Sequence, residues 1–339
     1  MSPITKPYGV ALVGLGNYAL NHLAPALQET RGCRLTALVS GSAEKRSLYG
    51  ELYGIPDSHI YTYETFDEIR HNPDVDIVYV VLPNAMHAEY TIRAARAGKH
   101  VITEKPMGIS VQECREMIEA CKLAQVSLNV GYRSHYDPGH RVIKQIAREQ
   151  PKGPAKYVQA EHGFIIGDPN QWRLKKALAG GGALYDLGIY CIQAARYATG
   201  KNPVAVSAWE TRTDPVKFAE VDETVSFHME FDDGAIADCT TSYNFKADRL
   251  HVSYAKDNGT AEIRSAFNYS GQQTFVNGRL VRAPQVNQQA LQLDGICQSI
   301  RQRKASPVSG EEGLLDLQVI DAIERSIAQG GKRIQIRYS

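Results

Sequence analysis

The chain has 339 residues, which is enough for about two domains of ordinary size, each with its own core. Lys and Arg number 38 and Asp and Glu number 37, so the formal net charge is +1, without the basic excess typical of nucleic-acid-binding proteins. Hydrophobic residues make up 43% of the chain, and no apolar run approaches the roughly 18 residues of a membrane-spanning helix. We therefore expect a soluble globular protein with neither a nucleic acid nor a membrane as partner.

The six cysteines form no C-x-x-C pair and no Cys/His spacing typical of a zinc site. In a chain of this length we expect them to be reduced and partly buried, and we expect no metal. The segment before Tyr8 lacks the apolar stretch of a secretion signal, which favours a cytoplasmic protein. A periplasmic protein whose signal had been removed would have the same sequence.

The first 130 residues alternate between strand-like and helix-like segments. Strands are predicted at Tyr8–Val13, Leu35–Val39, Val75–Leu82, His100–Thr103 and Ser127–Val130. Helices are predicted at about Ala19–Gln28, Ala43–Tyr53, His87–Ala97 and Val111–Ala124. Because Val75–Leu82 is apolar almost throughout, it is typical of a strand that is covered on both faces. Repeated β-α-β units predict a doubly wound parallel sheet in a domain of residues 1–130.

The second half changes to a strand-rich pattern, which predicts an α/β domain on a large open, mostly antiparallel sheet over residues 131–339. Strands are predicted at Lys156–Ile166, Val204–Thr213, Thr224–Phe231, Ala235–Tyr243 and Thr260–Phe267. Turns are predicted at Asp232-Asp233-Gly234 and Asp257-Asn258-Gly259, and helices at about Ala183–Thr199, Gln288–Arg303 and Glu311–Ala328. The last helices could pack back onto the first domain.

A glycine turn follows the first predicted strand and opens the first helix. Its residues Gly14, Gly16, Asn17, Tyr18 and Ala19 fit the pattern G-x-G-x-x-A. The first glycine permits a tight turn, the second lets the backbone approach a pyrophosphate, and the small Ala19 lets helix and strand pack closely. The helix N-terminus then offers N–H groups to the phosphates. This context predicts a dinucleotide site, although an ordinary glycine turn can have the same sequence pattern.

The end of the second predicted strand bears on the choice between NAD and NADP. NAD-selective sites place a carboxylate there to hold the ribose hydroxyls. This chain instead has Ser40 and Gly41, followed by Lys45 and Arg46. A 2′-phosphate would bind Ser40 and pair with a cation, so we predict NADP. The alternative is that both cations belong to a solvated helix face.

Two further strand ends carry polar residues where ligands bind in open α/β sheets. Leu82 and Asn84, with His87 behind them, end the long apolar strand, and turn chemistry alone could explain them. Glu104 and Lys105 follow the strand His100–Thr103, and the next residue is a proline that disfavours helix. Lys105 is therefore a candidate catalytic residue, although a single lysine is usually solvated.

Asp186 and Tyr190 follow a run of three glycines, and their spacing of four places them on one face of a helix. A carboxylate one turn from a phenol, near a lysine, could transfer protons. The alternative is a tyrosine packed in the core.

Eight segments together resemble the glucose–fructose oxidoreductase / inositol dehydrogenase (Gfo/Idh/MocA) family over nearly the whole chain. They are GLGNYA, LVSGSAEK, VLPNAMHAEY, GKHVITEKPM, GYRSHYDP, QWRL, AGGGALYDLGIY and SGEEGLLDLQVI. SGSAEK, GYRSHYDP, QWRL and AGGGALYDLGIY point to the glucose–fructose oxidoreductase branch. The resemblance implies a Rossmann domain and a second domain whose open sheet often forms a homodimer or homotetramer. It also implies hydride transfer between a nicotinamide and a sugar carbon.

The resemblance also implies roles for individual residues. Lys105 matches the family's catalytic lysine in E-K-P, and Asp186 matches its carboxylate. Tyr190 takes a position where many relatives have His, and the glucose–fructose oxidoreductase branch uses Tyr. Further residues match segments that line the cofactor and sugar pocket: Arg133, Trp172 and Arg173. The exported bacterial glucose–fructose oxidoreductase has a long N-terminal arm that helps to retain NADP, whereas here the first strand is predicted to start at about Tyr8.

We therefore expect an NADP-dependent oxidoreductase that oxidises an aldose at its anomeric carbon to the lactone, with reduction of a second sugar as an option. Tyr190 would be the base, Lys105 would favour its phenolate, and Asp186 would orient the sugar or the lysine. One alternative is an NADPH-dependent reductase of a ketosugar or diketone. Another is a non-catalytic regulator that senses NADP(H).

Overall fold

The computed structural model describes residues 6–338 and divides into two compact units. The first unit runs to Gly108 and adds Gln112–Arg133 and Asn287–Gly313. The second contains Ile109–Val111, Ser134–Val286 and the chain from Leu314. This division differs from the sequence boundary at residue 130, because Asn287–Gly313 return to the first unit. The expectation about a secretion signal concerns mainly residues 1–5, which lie outside the described residues.

The first unit is built on a six-stranded parallel sheet in the order β3-β2-β1-β4-β5-β6. Its strands are β1 Tyr8–Val13, β2 Cys33–Val39, β3 Ile60–Tyr61, β4 Ile77–Val80, β5 His100–Thr103 and β6 Leu128–Val130. Its helices are α1 Ala24–Glu29, α2 Ala43–Tyr53, α3 His87–Arg96, α4 Val111–Leu123 and α8 Gln288–Gln302. The central strands are fully buried because helices cover a parallel sheet on both faces, which explains their apolar runs. The predicted doubly wound parallel sheet is confirmed.

The order of these strands decides where a ligand binds. The chain winds outward from β1 through β2 to β3, and then crosses over to β4 on the other side of β1. In such a sheet the ligand binds at the carboxyl ends of the strands at this switch point. Most of the candidate cofactor residues follow β1, β2, β4 and β5 and therefore lie at this end of the sheet, whereas Arg133 follows β6 and Trp172 and Arg173 belong to the second unit.

The first helix departs from the prediction of a continuous helix over Ala19–Gln28. Asn17 and Tyr18 begin it in helical conformation, a π-helical turn follows at Ala19–Leu23, and the helix then continues as α1. Pro25 lies in the first turn of α1 and has no N–H group to donate. A π-helical turn ahead of it fits this change in hydrogen bonding, and such turns are frequent at functional sites. Further turns of 3₁₀ type lie at Asp57–His59, Phe66–His71 and Asn84–Met86.

The second unit contains a nine-stranded sheet in the order β14-β13-β12-β11-β7-β10-β9-β8-β15. Its strands are β7 Ala155–Gly163, β8 Ala205–Thr211, β9 Thr224–Glu230, β10 Ile236–Ser242, β11 Ala247–Tyr254, β12 Thr260–Arg264, β13 Gln273–Val276, β14 Arg279–Val281 and β15 Ile334–Gln335. β7 and β10 pair in parallel, and the other described neighbours pair antiparallel. The predicted open, mostly antiparallel sheet is confirmed.

The helices of the second unit include two that the sequence analysis missed, Pro138–Glu149 and the short Lys176–Ala179. The helices are α5 Pro138–Glu149, α6 Lys176–Ala179, α7 Ile189–Thr199 and α9 Gly310–Ala328, with a π-helical turn at Leu184–Gly188 and 3₁₀ turns at Arg133–Tyr136 and Trp172–Leu174. The start signals of α5 are present in the sequence, because Asp137 caps it by accepting a hydrogen bond from the His140 N–H at 3.0 Å and Pro138 is its first residue. β11 was also missed, since charged and polar residues interrupt its apolar positions.

One face of the nine-stranded sheet forms the core of the second unit. On β9, Val225, Phe227 and Met229 are buried, whereas Ser226 and His228 between them are not. This alternation agrees with the apolar face that the sequence predicts. All six cysteines of the chain are buried and form no disulfide. Within residues 6–338, no helix combines the length and the apolar character that crossing a bilayer requires.

Candidate active site

The glycine turn after β1 is tightly packed at Gly14 and open to its surroundings at Gly16. Gly14 has a φ of 93°, and a side-chain carbon there would lie 2.3 Å from the Val81 carbonyl oxygen, so only glycine fits. The same carbon added to Gly16 would meet no atom within 4 Å. The chain therefore offers an open stretch of backbone at a helix N-terminus, with Asn17 and Tyr18 as its first residues. This shape fits the pyrophosphate of a dinucleotide.

The residues after β2 lie next to this turn. Lys45 Nζ donates a hydrogen bond to the Leu15 carbonyl at 2.8 Å, and Arg46 donates one to the Ser40 carbonyl. The Ser40 hydroxyl accepts from the Ser42 N–H at 3.2 Å, so its own proton can serve a second group. Gly41 is exposed at the tip. Two cations and a hydroxyl thus lie together at the end of β2, and their binding of a 2′-phosphate stays a prediction.

His87 supports the backbone beside Lys105. Its side chain is fully buried, with Nδ1 2.8 Å from the Pro106 carbonyl and Nε2 2.9 Å from the Leu82 carbonyl. Burial lowers the pKa of this imidazole to about 4, although the two carbonyls act in the opposite direction. Because the ring has no accessible surface, His87 supports this loop from behind and has no surface for a direct contact with a cofactor. Leu82 and Asn84 are also buried, and they shape the loop after β4.

Glu104 is buried in a polar network, whereas Lys105 is partly exposed. The Glu104 carboxylate accepts hydrogen bonds from the Tyr79 hydroxyl at 2.7 Å and from the Lys105 N–H at 3.2 Å. Gln292 of α8 donates to the same Tyr79 hydroxyl at 3.0 Å. Burial raises the pKa of the Glu104 carboxyl, and the nearby cations Lys105 and Arg133 oppose that rise. This network supports the backbone from which Lys105 extends.

Arg133 is buried at the end of the first unit. Its Nη1 donates to Gln288 Oε1 at 2.6 Å, and Gln288 begins α8. The sequence analysis missed Gln288 and Gln292, because neither lies in a segment with the recognised motifs. Only the return of α8 to the first unit brings them to Arg133 and Tyr79.

Asp186 and Tyr190 lie on the exposed side of an otherwise buried segment. From residue 181 to residue 199, all residues are buried except Asp186, Tyr190 and Tyr197, which are half-buried. The predicted shared face is therefore observed, although the first turn, Leu184–Gly188, is π-helical rather than α-helical. Lys105 belongs to the first unit, and Asp186 and Tyr190 belong to the second.

Asp186 has two strong donors that fix its carboxylate. Arg173 Nε lies 3.1 Å and the Tyr243 hydroxyl 3.0 Å from the same oxygen, Oδ2. Asp186 is the main cause that raises the pKa of the Arg173 guanidinium, so the pair is ionic. The Arg173 guanidinium also stacks over Trp172, at 4.7 Å from the ring centre. Arg173 and Trp172 were predicted for the cofactor and sugar pocket, and the structure places Arg173 on Asp186.

The ring of Tyr190 packs against two aromatic side chains. The His162 ring of β7 lies 5.3 Å away in an edge-to-face arrangement, and the Phe267 ring lies 5.8 Å away. Such contacts hold the Tyr190 ring in one orientation. His162, Phe267 and Tyr243 were missed as site residues, because they are distant in sequence and only the sheet brings them together.

Comparison with known proteins agrees with this arrangement. Residues 8–132 match GFO_IDH_MocA, an oxidoreductase family with an NAD-binding Rossmann fold. Residues 140–262 match the GFO/IDH/MocA C-terminal domain. The chain belongs to the GFO/IDH/MocA family. As a member of this family it is an oxidoreductase whose first unit is an NAD(P)-binding Rossmann fold, and the predicted resemblance is confirmed.

Individual members of the GFO/IDH/MocA family are similar along nearly the whole chain. The solved structure of an aldose-aldose oxidoreductase from Caulobacter crescentus, complexed with glycerol, is 46% identical with a TM-score of 0.94, and the match covers 98% of this chain and 100% of that one. D-xylose 1-dehydrogenase [NADP(+)] of Haloarcula marismortui is 29% identical over 331 residues, which are 94% of this chain and 90% of the relative. Levoglucosan dehydrogenase in complex with NADH and L-sorbose has a TM-score of 0.86 over 99% of this chain and 100% of that one, but at 20% identity it shows only a shared fold.

Proposed function

We propose that this protein is an NADP-dependent sugar oxidoreductase that oxidises an aldose in its pyranose form at the anomeric carbon to the lactone. The observation that carries the proposal is the pair Asp186 and Tyr190 on the accessible side of a buried helix, with Asp186 held as an anion by Arg173. The 46% identity to an aldose-aldose oxidoreductase supports an aldose as substrate.

NADP is the proposed cofactor. The tip of β2 carries Ser40 and Gly41 rather than a carboxylate, and Lys45 and Arg46 lie beside it. A carboxylate would repel a 2′-phosphate, whereas a hydroxyl and two cations attract it. The NADP named for the xylose dehydrogenase relative supports the same choice.

The protein residues have distinct roles in the proposed reaction. Bound NADP would supply the hydride acceptor. Tyr190 takes the proton of the anomeric hydroxyl, for which it must be a phenolate, and an unperturbed phenol with a pKa of about 10 keeps its proton at neutral pH. Lys105 favours the phenolate through its positive charge. Asp186 orients the sugar or the lysine, and Arg173 and Trp172 line the sugar pocket.

A panel of aldoses with NADP tests the proposal. We expect absorbance at the reduced-nicotinamide band with at least one aldose, together with the matching lactone or aldonic acid. Activity only with NADPH and a ketosugar or diketone would replace the proposal with a reductase. Cofactor binding without turnover of any sugar would favour a sensor of NADP(H).

Coupling to a second sugar is part of the proposal and needs its own measurement. If the reduced cofactor stays bound and reduces a second aldose, the alditol forms without net absorbance change. We expect equal amounts of aldonic acid and alditol in that case. Aldonic acid and reduced nicotinamide formed without any alditol would exclude coupling.

We also propose a homodimer or homotetramer through the outward face of the nine-stranded sheet. This face carries cross-strand polar pairs, such as His228 with Asp238 at 2.7 Å and Arg249 with Glu161 at 2.9 Å. An interface of this kind is typically polar and water-containing at its rim. Light scattering at micromolar concentration tests the assembly, and a monomer would exclude it.

A further inference from the structure

We propose that Tyr243 is a positioning residue for Asp186, and that it sets the orientation of the carboxylate that the sugar meets. The inference rests on the proposed function, because it assumes that Asp186 contacts the sugar or acts beside it. Tyr243 itself is 1% exposed, so it acts through Asp186 and not by touching substrate. Sequence motifs do not mark it, since it lies 57 residues from Asp186.

The hydrogen bonds on Asp186 restrict how its carboxylate can turn. Tyr243 and Arg173 both donate to Oδ2, at 3.0 and 3.1 Å. Rotation of the carboxylate would lengthen both bonds together, so the two donors define one orientation. Without the Tyr243 hydroxyl, Asp186 would keep its ion pair with Arg173 and lose one of the two hydrogen bonds that restrict Oδ2.

The backbone segments that carry Asp186 and Tyr243 are both hydrogen-bonded to two consecutive residues, Asp222 and Glu223. The Asp222 carboxylate accepts hydrogen bonds from the Gly182 N–H at 2.6 Å and the Leu184 N–H at 2.7 Å, just before Asp186. The next residue, Glu223, accepts the Tyr243 N–H on its carbonyl at 2.9 Å. The segment that holds the start of the Asp186 helix therefore also holds the strand end that carries Tyr243. This arrangement keeps the distance between the two side chains constant.

The hydrogen bond from Tyr243 also stabilises the charge on Asp186. Burial raises the pKa of the Tyr243 phenol, so it stays protonated and donates. The ionisable groups around this pair include Arg173, which faces Asp186, and Asp222 and Tyr269, which act on Tyr243 and Arg173 respectively. Removal of one donor from a carboxylate raises its pKa. Loss of the Tyr243 hydroxyl should therefore make Asp186 easier to protonate.

Tyr243→Phe removes only the hydroxyl and tests the inference in the NADP-loaded enzyme. We expect the KM for the sugar to rise by about tenfold, the size of one hydrogen bond to a charged group, while the KM for NADP stays unchanged. The kcat should change far less than the sugar KM, because the Tyr190 ring keeps its contacts with His162 and Phe267. The rise in melting temperature that the sugar produces should shrink as well.

Tyr254→Phe is the matched control. Tyr254 is a buried tyrosine of the same sheet whose hydroxyl has no hydrogen-bond partner among the described residues. We expect its sugar KM and kcat to equal those of the unmodified enzyme. Because both variants delete one buried hydroxyl, a difference between them reports the bond to Asp186 and not a general loss of packing.

Asp186→Asn separates failure of the inference from failure of the proposed function. If Asp186→Asn loses turnover while Tyr243→Phe behaves as Tyr254→Phe, the proposed function stands and the positioning role is overturned. If Asp186→Asn turns over sugar normally, the role of Asp186 in the proposed function is overturned, and the inference with it. Where both hold, Tyr243→Phe added to Asp186→Asn should cause no further loss.

Discussion

Lys45 Nζ donates a hydrogen bond to the Leu15 carbonyl at 2.8 Å, which ties the first turn of α2 to the glycine turn after β1. The hydrogen bond holds the cation beside the end of β2, where we propose that the 2′-phosphate of NADP binds. A solvated lysine on a helix face would have no such fixed position. The relationship favours a role in cofactor choice over the alternative of a solvated helix face.

Replacing Lys45 by alanine tests cofactor selectivity. We expect Lys45→Ala to weaken NADP binding by about tenfold or more, because a charge-assisted hydrogen bond contributes about 1.5–3 kcal/mol, and to change NAD binding far less. Fluorescence titration with both cofactors measures this. Lys122→Ala removes an exposed lysine of the same unit that pairs with Glu311, and it should leave both affinities unchanged. Equal affinity of the unmodified protein for NADP and NAD would contradict the prediction.

Tyr190→Phe tests the proton-transfer role. The substitution removes only the hydroxyl, so the fold and the NADP affinity should stay nearly unchanged. Turnover should fall by roughly 10²–10⁴-fold, as expected for loss of a positioned acid–base group. Lys105→Ala should act in the same direction, and the double variant should lose less than the product of the two if both residues serve the same proposed proton transfer.

Steady-state kinetics beside a thermal melt distinguish this role from a packed tyrosine. A packing role predicts normal turnover and at most a lower melting temperature for Tyr190→Phe. Near-normal turnover in a well-folded variant would remove Tyr190 from the mechanism and leave Lys105 as the first candidate.

Gly182→Ala should disturb the turn that leads into the Asp186 helix. A side-chain carbon at Gly182 would lie 2.1 Å from the Asp222 carbonyl oxygen, a distance at which the backbone must move. We expect a lower melting temperature together with weaker sugar binding. Gly167→Ala is the control, since no atom lies within 4 Å of its added carbon. Equal melting temperatures for the two variants would show that the turn tolerates the movement.

Burial of His87 should make the free energy of unfolding fall as the pH is lowered. Its pKa is about 4 in the folded chain and 6.5 in the unfolded one, so the unfolded chain binds this proton first as the pH falls. The stabilisation that comes from keeping His87 neutral is complete above pH 6.5. It is lost as the pH falls towards 4, which lowers the free energy of unfolding by about 3 kcal/mol in total. Urea denaturation between pH 7 and pH 4 measures it.

His87→Gln provides the comparison, because glutamine keeps a hydrogen-bonding side chain and does not titrate. The variant should be less stable at pH 7, and its stability should fall less between pH 7 and pH 4 than that of the unmodified protein. Parallel curves for the two proteins would contradict the assigned pKa.

Local pattern was sufficient for the framework of the protein. The apolar runs of β1 and β4 predict a covered parallel sheet, and the glycines after β1 predict the phosphate turn, because each signal lies within one short segment. The spacing of Asp186 and Tyr190 predicts a shared face, and the burial pattern agrees even though the first turn is π-helical. The hairpin turn at Asp257-Asn258-Gly259 was also predicted from the sequence. In the structure Asp257 and Asn258 adopt φ values of 56° and 47°, which these residue types tolerate.

Contacts between distant segments were decided by the tertiary structure alone. Tyr243 reaches Asp186 only because β10 ends beside the Asp186 helix, and Gln292 reaches Tyr79 only because α8 returns to the first unit. A single sequence carries no signal for such pairs: each residue taken alone looks like an ordinary buried polar side chain. Buried polar groups must find partners, and which partner is available depends on how the sheets and helices pack rather than on spacing along the chain.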